Sequence, residues 1–274
     1  MRPHKKLFCS FKNMELNKIY NEDCLEGMKR ISDKSIDMIL CDLPYGTTDN
    51  KWDVIIPFDK LWEQYERIIK DSGAIVLTGS QPFTTDIIMS NRKLFRYEWI
   101  WNKNQASNFF MANKMPLKVH ENILVFYKKL PTYNKQMIPR TNPSVAIAQE
   151  RGYVYDGAKS DNYNISTVKM SPKGYDKNWK NPISILNINQ LKNNSNERCG
   201  HPTQKPVALF EHLIKTYTNE GEIVLDNCMG SGTTAVAAIN TNRQFIGFEK
   251  EKEYFDVAIE RIKKASEEDD SKIF

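Results

Sequence analysis

The sequence has no uninterrupted apolar run approaching the length that crosses a bilayer. Its opening stretch, MRPHKKLFCSFKN, is basic, but the apolar part is too short for a signal peptide and no small-residue cleavage site follows. The expectation is a soluble, cytoplasmic protein with a basic extension over residues 1–13. Cysteine is sparse and unpaired: Cys9, Cys24, Cys41, Cys199 and Cys228 are scattered, no CxxC occurs, and four histidines give no matching ligand spacing. Cys199 and His201 stand close, but two ligands in one loop are weak grounds for zinc. No metal is expected, and the thiols read as reduced and structural.

Acid is scarce in one part of the chain only. Residues 92–205 hold 19 Lys+Arg and 7 Asp+Glu, while the remainder holds 20 and 27. A basic middle between acidic flanks suits a polyanion partner. A solvated basic surface would look the same from composition alone. The chain also lacks any internal repeat.

What is present is enough for a sizeable core: 274 residues, 40% of them hydrophobic. That length suits one large domain, or one domain with a substantial insertion. SIDMILCD (35–42) is nearly continuous apolar sequence ending in an acid, as a strand buried on both faces requires. FDKLWEQYERIIKDSG has helical spacing with Gly73 as its stop, and AIVLTGS (74–80) is the next strand. YEWIW, NILVFY, EIVLD and QFIGFE are further strands, and Pro206 opens a helix that ends before Gly221. The alternation predicts an α/β fold with a doubly wound, mostly parallel sheet. Residues 131–198 show neither period and read as an insertion. The acidic end, 265–274, reads as a frayed tail.

NCMGSGTTAVAAIN, between a strand and a helix, lies where an open α/β sheet places a ligand. Gly230 and Gly232 would let the backbone approach it closely. A P-loop needs a lysine before Ser/Thr, which this loop lacks, and a dinucleotide fingerprint needs a third glycine, also absent. Glu249, 19 residues after Gly230, can accept hydrogen bonds from two ribose hydroxyls. An adenosine ligand without pyrophosphate, such as S-adenosylmethionine, remains, beside the plain tight turn.

DLPY (42–45) and this glycine loop both close strands, so one parallel sheet would carry both at the same edge. Together with HPTQKP (201–206) and KMPLKVHENILVFYKK (114–129), they resemble the amino-methyltransferases acting on DNA, in their circularly permuted beta group. The resemblance implies a Rossmann-like fold with permuted motif order. The catalytic half would be 14–130, the DNA target-recognition insertion 131–198, and the cofactor half 199–264. It implies S-adenosyl-L-methionine as cofactor and double-stranded DNA as partner. It also admits a homodimer and a cognate restriction endonuclease as partners. Asp42 and the Leu43 carbonyl would accept hydrogen bonds from the exocyclic amine, Pro44 would fix the backbone, and Tyr45 would stack on a flipped-out base.

Asp23, Cys24, Asp226, Gly230, Ser231, Gly232, Thr233 and Glu249 are the implied cofactor contacts. Thr203 and Lys205 are further candidates, against ordinary helix capping. Lys135, Arg140, Arg151, Lys173, Lys177 and Lys180 are the implied DNA contacts. Tyr153, Tyr155 and Trp179 are candidates to wedge or stack, against local core. His120 and Glu121, beside an apolar strand, read as structural hydrogen-bonding residues rather than catalytic ones. Two positions depart from the group's pattern: Leu43 replaces a proline, and Asn227-Cys228 replace Pro-Phe. An acid at position 42 favours adenine N6 over cytosine N4 as the target. Protein glutamine, RNA and an inactive DNA-binding module of the same fold are the other readings.

Overall fold

The computed structural model describes residues 14–140, 178–192 and 194–270. Two compact units divide them, one comprising the chain up to Asn134 and from Ser184 onward, the other Lys135–Ile183. Among the described residues no helix is long and apolar enough to cross a membrane.

The first unit is built on an eight-stranded sheet. Its strands are β1 (Lys18–Tyr20), β2 (Ile36–Cys41), β3 (Ile69–Gly79), β4 (Phe95–Ser107), β5 (Lys118–Phe126), β8 (Ile185–Asn187), β9 (Ile223–Asp226) and β10 (Gln244–Phe248), in the order β1-β10-β9-β2-β3-β5-β4-β8. Only β5 runs against the rest. β2 explains its own apolar run, because Ile39 and Cys41 enter one core and Met38 and Leu40 the other. Helices α1 (Cys24–Met28), α2 (Phe58–Ile68) and α3 (Phe83–Ser90) cover the first face. Helices α4 (Val207–Tyr217), α5 (Thr233–Asn240) and α6 (Lys252–Asp270) cover the second. This is the doubly wound arrangement expected.

Several expected boundaries move. α2 stops at Ile68 rather than running on to Gly73, because Ile69 pairs with Ile36 and the chain enters β3 there. The β-branched Ile69 gains more from that ladder than from another helical turn. The insertion is narrower than 131–198. Residues 184–198 belong to the sheet unit, where Ile185 and Leu186 pair with Ile100 and Trp101, and the Trp101 indole donates to the Ile188 carbonyl at 2.7 Å. The tail does not fray at 265, since α6 continues to Asp270 with Ala265 buried.

In the second unit the described parts are β6 (Ile138–Pro139) and β7 (Trp179–Lys180), an antiparallel pair. Arg140 Nε donates to the Trp179 carbonyl at 2.9 Å, and the Trp179 ring is exposed rather than core. Arg151, Tyr153, Tyr155, Lys173 and Lys177 lie outside the described residues, as do residues 1–13.

α1 lies directly over the end of β10. A β-carbon on Gly27 would stand 2.2 Å from Cε1 of the buried Phe248 ring. Gly27→Ala is therefore expected to lower unfolding stability by about 1–3 kcal/mol through overpacking. A urea midpoint unchanged from wild type would contradict this packing.

Candidate active site

Strands β1, β10, β9 and β2 are neighbours and parallel, so their carboxyl ends share one edge. Asp23, Glu249, Asp226 and Asp42 follow or close these strands, and all four line a cavity of about 750 Å³. The early and late motifs thus meet, as the sequence led one to expect.

The turn after β2 is held by three donors. Asp42 Oδ1 accepts from the Tyr45 hydroxyl at 2.7 Å and from the Thr78 hydroxyl, and Oδ2 accepts from Lys205 Nζ at 2.5 Å. Burial, then the Asp42 and Glu121 charges, push the Tyr45 hydroxyl well up, which keeps it a donor. The Tyr45 ring is stacked on Phe83 at 4.9 Å between centroids, so one of its faces is taken. Leu43 is buried in the core below, where a branched apolar side chain fills space without leaving a polar group unpaired.

Lys205 is almost fully buried. Its ammonium lies between Asp42 and Glu121, 3.5 Å from the latter, and Glu121 in turn stands 3.3 Å from the buried Lys103. Burial alone would lower the Lys205 pKa, but the two carboxylates outweigh it and raise it to about 12. The four charges alternate in sign, the arrangement that makes burial of such groups tolerable. Glu121 makes the structural hydrogen bond expected of it and is part of the cavity wall as well. Pattern gave no hint of its partners, because they lie 18 and 84 positions away along the chain. Helix capping does not account for Thr203 or Lys205, since the Val207 N–H that starts α4 is satisfied by Glu197 Oε1 at 2.8 Å. Thr203 is exposed, 3.5 Å from His201 Nδ1.

The glycine loop is organised largely by its own protein partners. Gly230 and Gly232 both have left-handed backbones, φ +53° and +85°. The close approach at Gly232 is to helix α6 rather than to a cavity ligand, for a β-carbon there would lie 3.1 Å from that of Ala258. Arg261 Nη1 of α6 donates to the Ser231 carbonyl at 2.7 Å and to the Thr233 hydroxyl at 3.3 Å. Asp226 accepts from the Cys228 N–H at 3.0 Å and from the Thr234 hydroxyl, and burial pushes its pKa up to about 6. Glu249 accepts one backbone N–H on each oxygen, from Gly230 and Glu251, both at 2.7 Å. Asp23 caps α1 by accepting from the Leu25 N–H at 2.9 Å.

The replacement of Pro-Phe by Asn227-Cys228 is compensated locally. Asn227 Oδ1 accepts from the Tyr65 hydroxyl at 2.5 Å, and its amide faces the thiols of Cys24 and Cys228 at 3.6 and 3.5 Å. Burial lifts the Cys41 thiol to about 12, which fits a strand residue rather than a nucleophile. Cys199 bonds Gln204, and no metal-binding group of His, Cys, Asp or Glu occurs among the described residues. An aromatic wall absent from the sequence reading, Trp52, His201 and Tyr254, also lines the cavity.

Residues 36–260 match the family model N6_N4_Mtase, described as DNA methylase. The chain belongs to this family. It is similar to Type II methyltransferase M.BglII of Bacillus subtilis, 31% identical over 91% of this chain and 69% of that protein. It is also similar to DNA adenine methyltransferase YhdJ of Escherichia coli K12, 28% identical over 92% and 84%. Among solved structures, the M1.HpyAVI–SAM complex aligns with a TM-score of 0.57 at 26% identity, over 89% of this chain and 98% of that one. PvuII DNA methyltransferase, cytosine-N4-specific, aligns with a TM-score of 0.63 over 94% and 92%, and at 16% identity shares the fold. The protein is a DNA methyltransferase acting on adenine N6 or cytosine N4, and its cofactor is S-adenosylmethionine.

His201 ties the cavity to pH. Burial, aided by Lys205, Arg198 and Arg261 and opposed by Asp42, holds its pKa down at about 4 against an ordinary 6.5. The unfolded chain binds this proton more readily, so stability is lost as pH falls from 6.5 towards 4. Wild type should lose more denaturant stability than His201→Phe between about pH 7.5 and about pH 5. Equal losses would contradict the assignment.

Proposed function

We propose that the enzyme methylates the exocyclic N6 of adenine, with Asp42 as the group that receives the amine. The carrying observation is the constrained Asp42 carboxylate on the cavity wall. A carboxylate offers about four acceptor positions, and the three donors from Tyr45, Thr78 and Lys205 leave about one. An amine N–H of a base in the cavity fits that vacancy. The acid at position 42 favours adenine within this group of enzymes, and so does the likeness to a relative named as an adenine methyltransferase over most of both chains.

The amine lone pair of adenine is delocalised into the ring, which makes it a poor nucleophile. Hydrogen bonds from its N–H groups to Asp42 and to the Leu43 carbonyl favour a tetrahedral nitrogen whose lone pair is free to attack. Pro44 fixes the turn that makes these acceptors converge. Tyr45 would stack on the base. When bound, S-adenosylmethionine supplies an electrophilic methyl group on a sulfonium. On taking that methyl the amine nitrogen would become cationic, the electrons of the broken C–S bond staying with sulfur as a neutral thioether, and Asp42 would accept the proton that the nitrogen then loses. Lys205 keeps the carboxylate turned toward that nitrogen throughout.

The chain's residues fit the cofactor. Glu249 uses about half of its acceptor positions on backbone N–H groups, leaving room for two ribose hydroxyls. Asp23 and Cys24 border the same end of the cavity and would meet the adenine ring. Gly230, Ser231 and Thr233 would flank the methionine part, with Gly232 and Asp226 shaping the loop from behind. Lys135, Arg140 and Lys180 of the second unit remain the proposed phosphate and base contacts. The runner-up is cytosine N4, whose amine is equally conjugated.

Purified protein incubated with genomic DNA and S-adenosylmethionine, followed by digestion and mass spectrometry, should yield N6-methyladenosine as its deoxynucleoside. Asp42→Ala should abolish that product while cofactor affinity stays within about threefold of wild type. Only N4-methylcytosine, or full activity in the variant, would overturn the proposal.

A further inference from the structure

β4 and β5 form a hairpin whose last pair is Ser107 with Lys118, and whose tip borders the cavity through Ser107, Asn108, Phe110 and Lys118. The tip carries two adjacent aromatic side chains turned to solvent: Phe109 is 65% exposed and Phe110 85%. An exposed aromatic pair beside an active site is unusual for a soluble surface and marks a place of contact.

The display is held, not loose. Asn108 takes a left-handed backbone, φ +69°, and Phe109–Met111 form a single 3-10 turn. The Met111 and Ala112 N–H groups bond back to Asn108 and Phe109, and both Lys114 and Met115 bond the Met111 carbonyl. At the base, the Ser107 hydroxyl donates to the Lys118 carbonyl at 3.0 Å. Residues 102–119 hold no acid, and of their three lysines Lys103 is buried against Glu121, which leaves the exposed Lys114 and the half-buried Lys118 at the surface. A surface of this composition matches a ligand that is anionic outside and apolar within.

Duplex DNA has that chemistry, with phosphates on the rim and stacked bases inside. A base that reaches Asp42 must leave its stack, and the gap it leaves would otherwise fill with water or collapse. Resting on the DNA-methyltransferase reading, we propose that Phe110, backed by Phe109, inserts into the duplex beside the extruded base and holds the gap open. The role is one of positioning: Phe110 stabilises the flipped state and touches neither the amine nor Asp42.

The test uses the full-length protein and a duplex carrying the site that single-molecule sequencing maps in expressing cells. Phe110→Ala should slow single-turnover methylation of the matched duplex by about tenfold or more. Placing an abasic residue opposite the target, which lowers the cost of extrusion, should restore the variant to within about twofold of wild type. Phe110→Trp should keep near-normal rates on both substrates, and 2-aminopurine at the target should brighten less with Phe110→Ala. An equal loss on both duplexes, or none, overturns the wedge. A change in sedimentation mass with unchanged matched-duplex rates would instead make the tip a contact between copies of the chain, and also overturns it. If wild type methylates neither duplex, the underlying DNA reading fails, and the wedge with it.

Discussion

The ion pair between Lys205 and Asp42 is the interaction on which the site depends. It joins residues 163 positions apart at 2.5 Å, one from the turn after β2 and one from the segment entering α4. Neither group could be buried alone, because the uncompensated charge would cost several kcal/mol. With Glu121 and Lys103 completing an alternating set, the cluster is neutral and each ammonium has a carboxylate. The two halves of the cavity are therefore held in register by electrostatics as well as by the sheet.

From that pair outward, polar groups in the site are mostly satisfied by protein before any ligand arrives. Asp53 illustrates the pattern: it accepts the N–H groups of Gly46, Thr47 and Thr48 and the Thr48 hydroxyl, closing the loop that carries Trp52. Those donors outweigh the cost of its burial and lower its pKa. Asp226, Glu249 and Arg261 do comparable work for the glycine loop. Such a site is shaped in advance, so binding energy need not be spent on ordering it. The two departures from the family pattern fit this picture. Leu43 adds apolar packing beneath the turn, and Asn227 finds its partners in Tyr65 and two thiols.

Legibility in the sequence followed the range of the interactions involved. β2, the glycine loop and the spacing to Glu249 are local patterns, and each was readable because a buried strand or a left-handed glycine constrains residue type directly. The meeting of Asp42 with the loop was readable too, since parallel strands share a carboxyl edge. What could not be read were contacts fixed by tertiary packing. Glu121 was legible as a structural hydrogen-bonding residue, but its two lysine partners were not, because they are remote in sequence. Gly232 looked like a ligand-approach glycine because Ala258 arrives from a helix with no motif of its own. The end of α2 was misplaced because Gly73 is the obvious local stop, whereas pairing of Ile69 with Ile36 acts first. Trp52, His201 and Tyr254 come from three separate segments, and only the fold assembles them.

The central claim is that Lys205 acts through Asp42 rather than on the cofactor. A double-mutant cycle with Asp42→Asn and Lys205→Met, read by single-turnover methyl transfer alongside cofactor affinity, addresses it most directly. The account predicts that the double variant is no slower than Asp42→Asn alone, and that cofactor affinity in Lys205→Met stays within about threefold of wild type. Independent, multiplying losses in rate together with a large loss of cofactor affinity in Lys205→Met would contradict it.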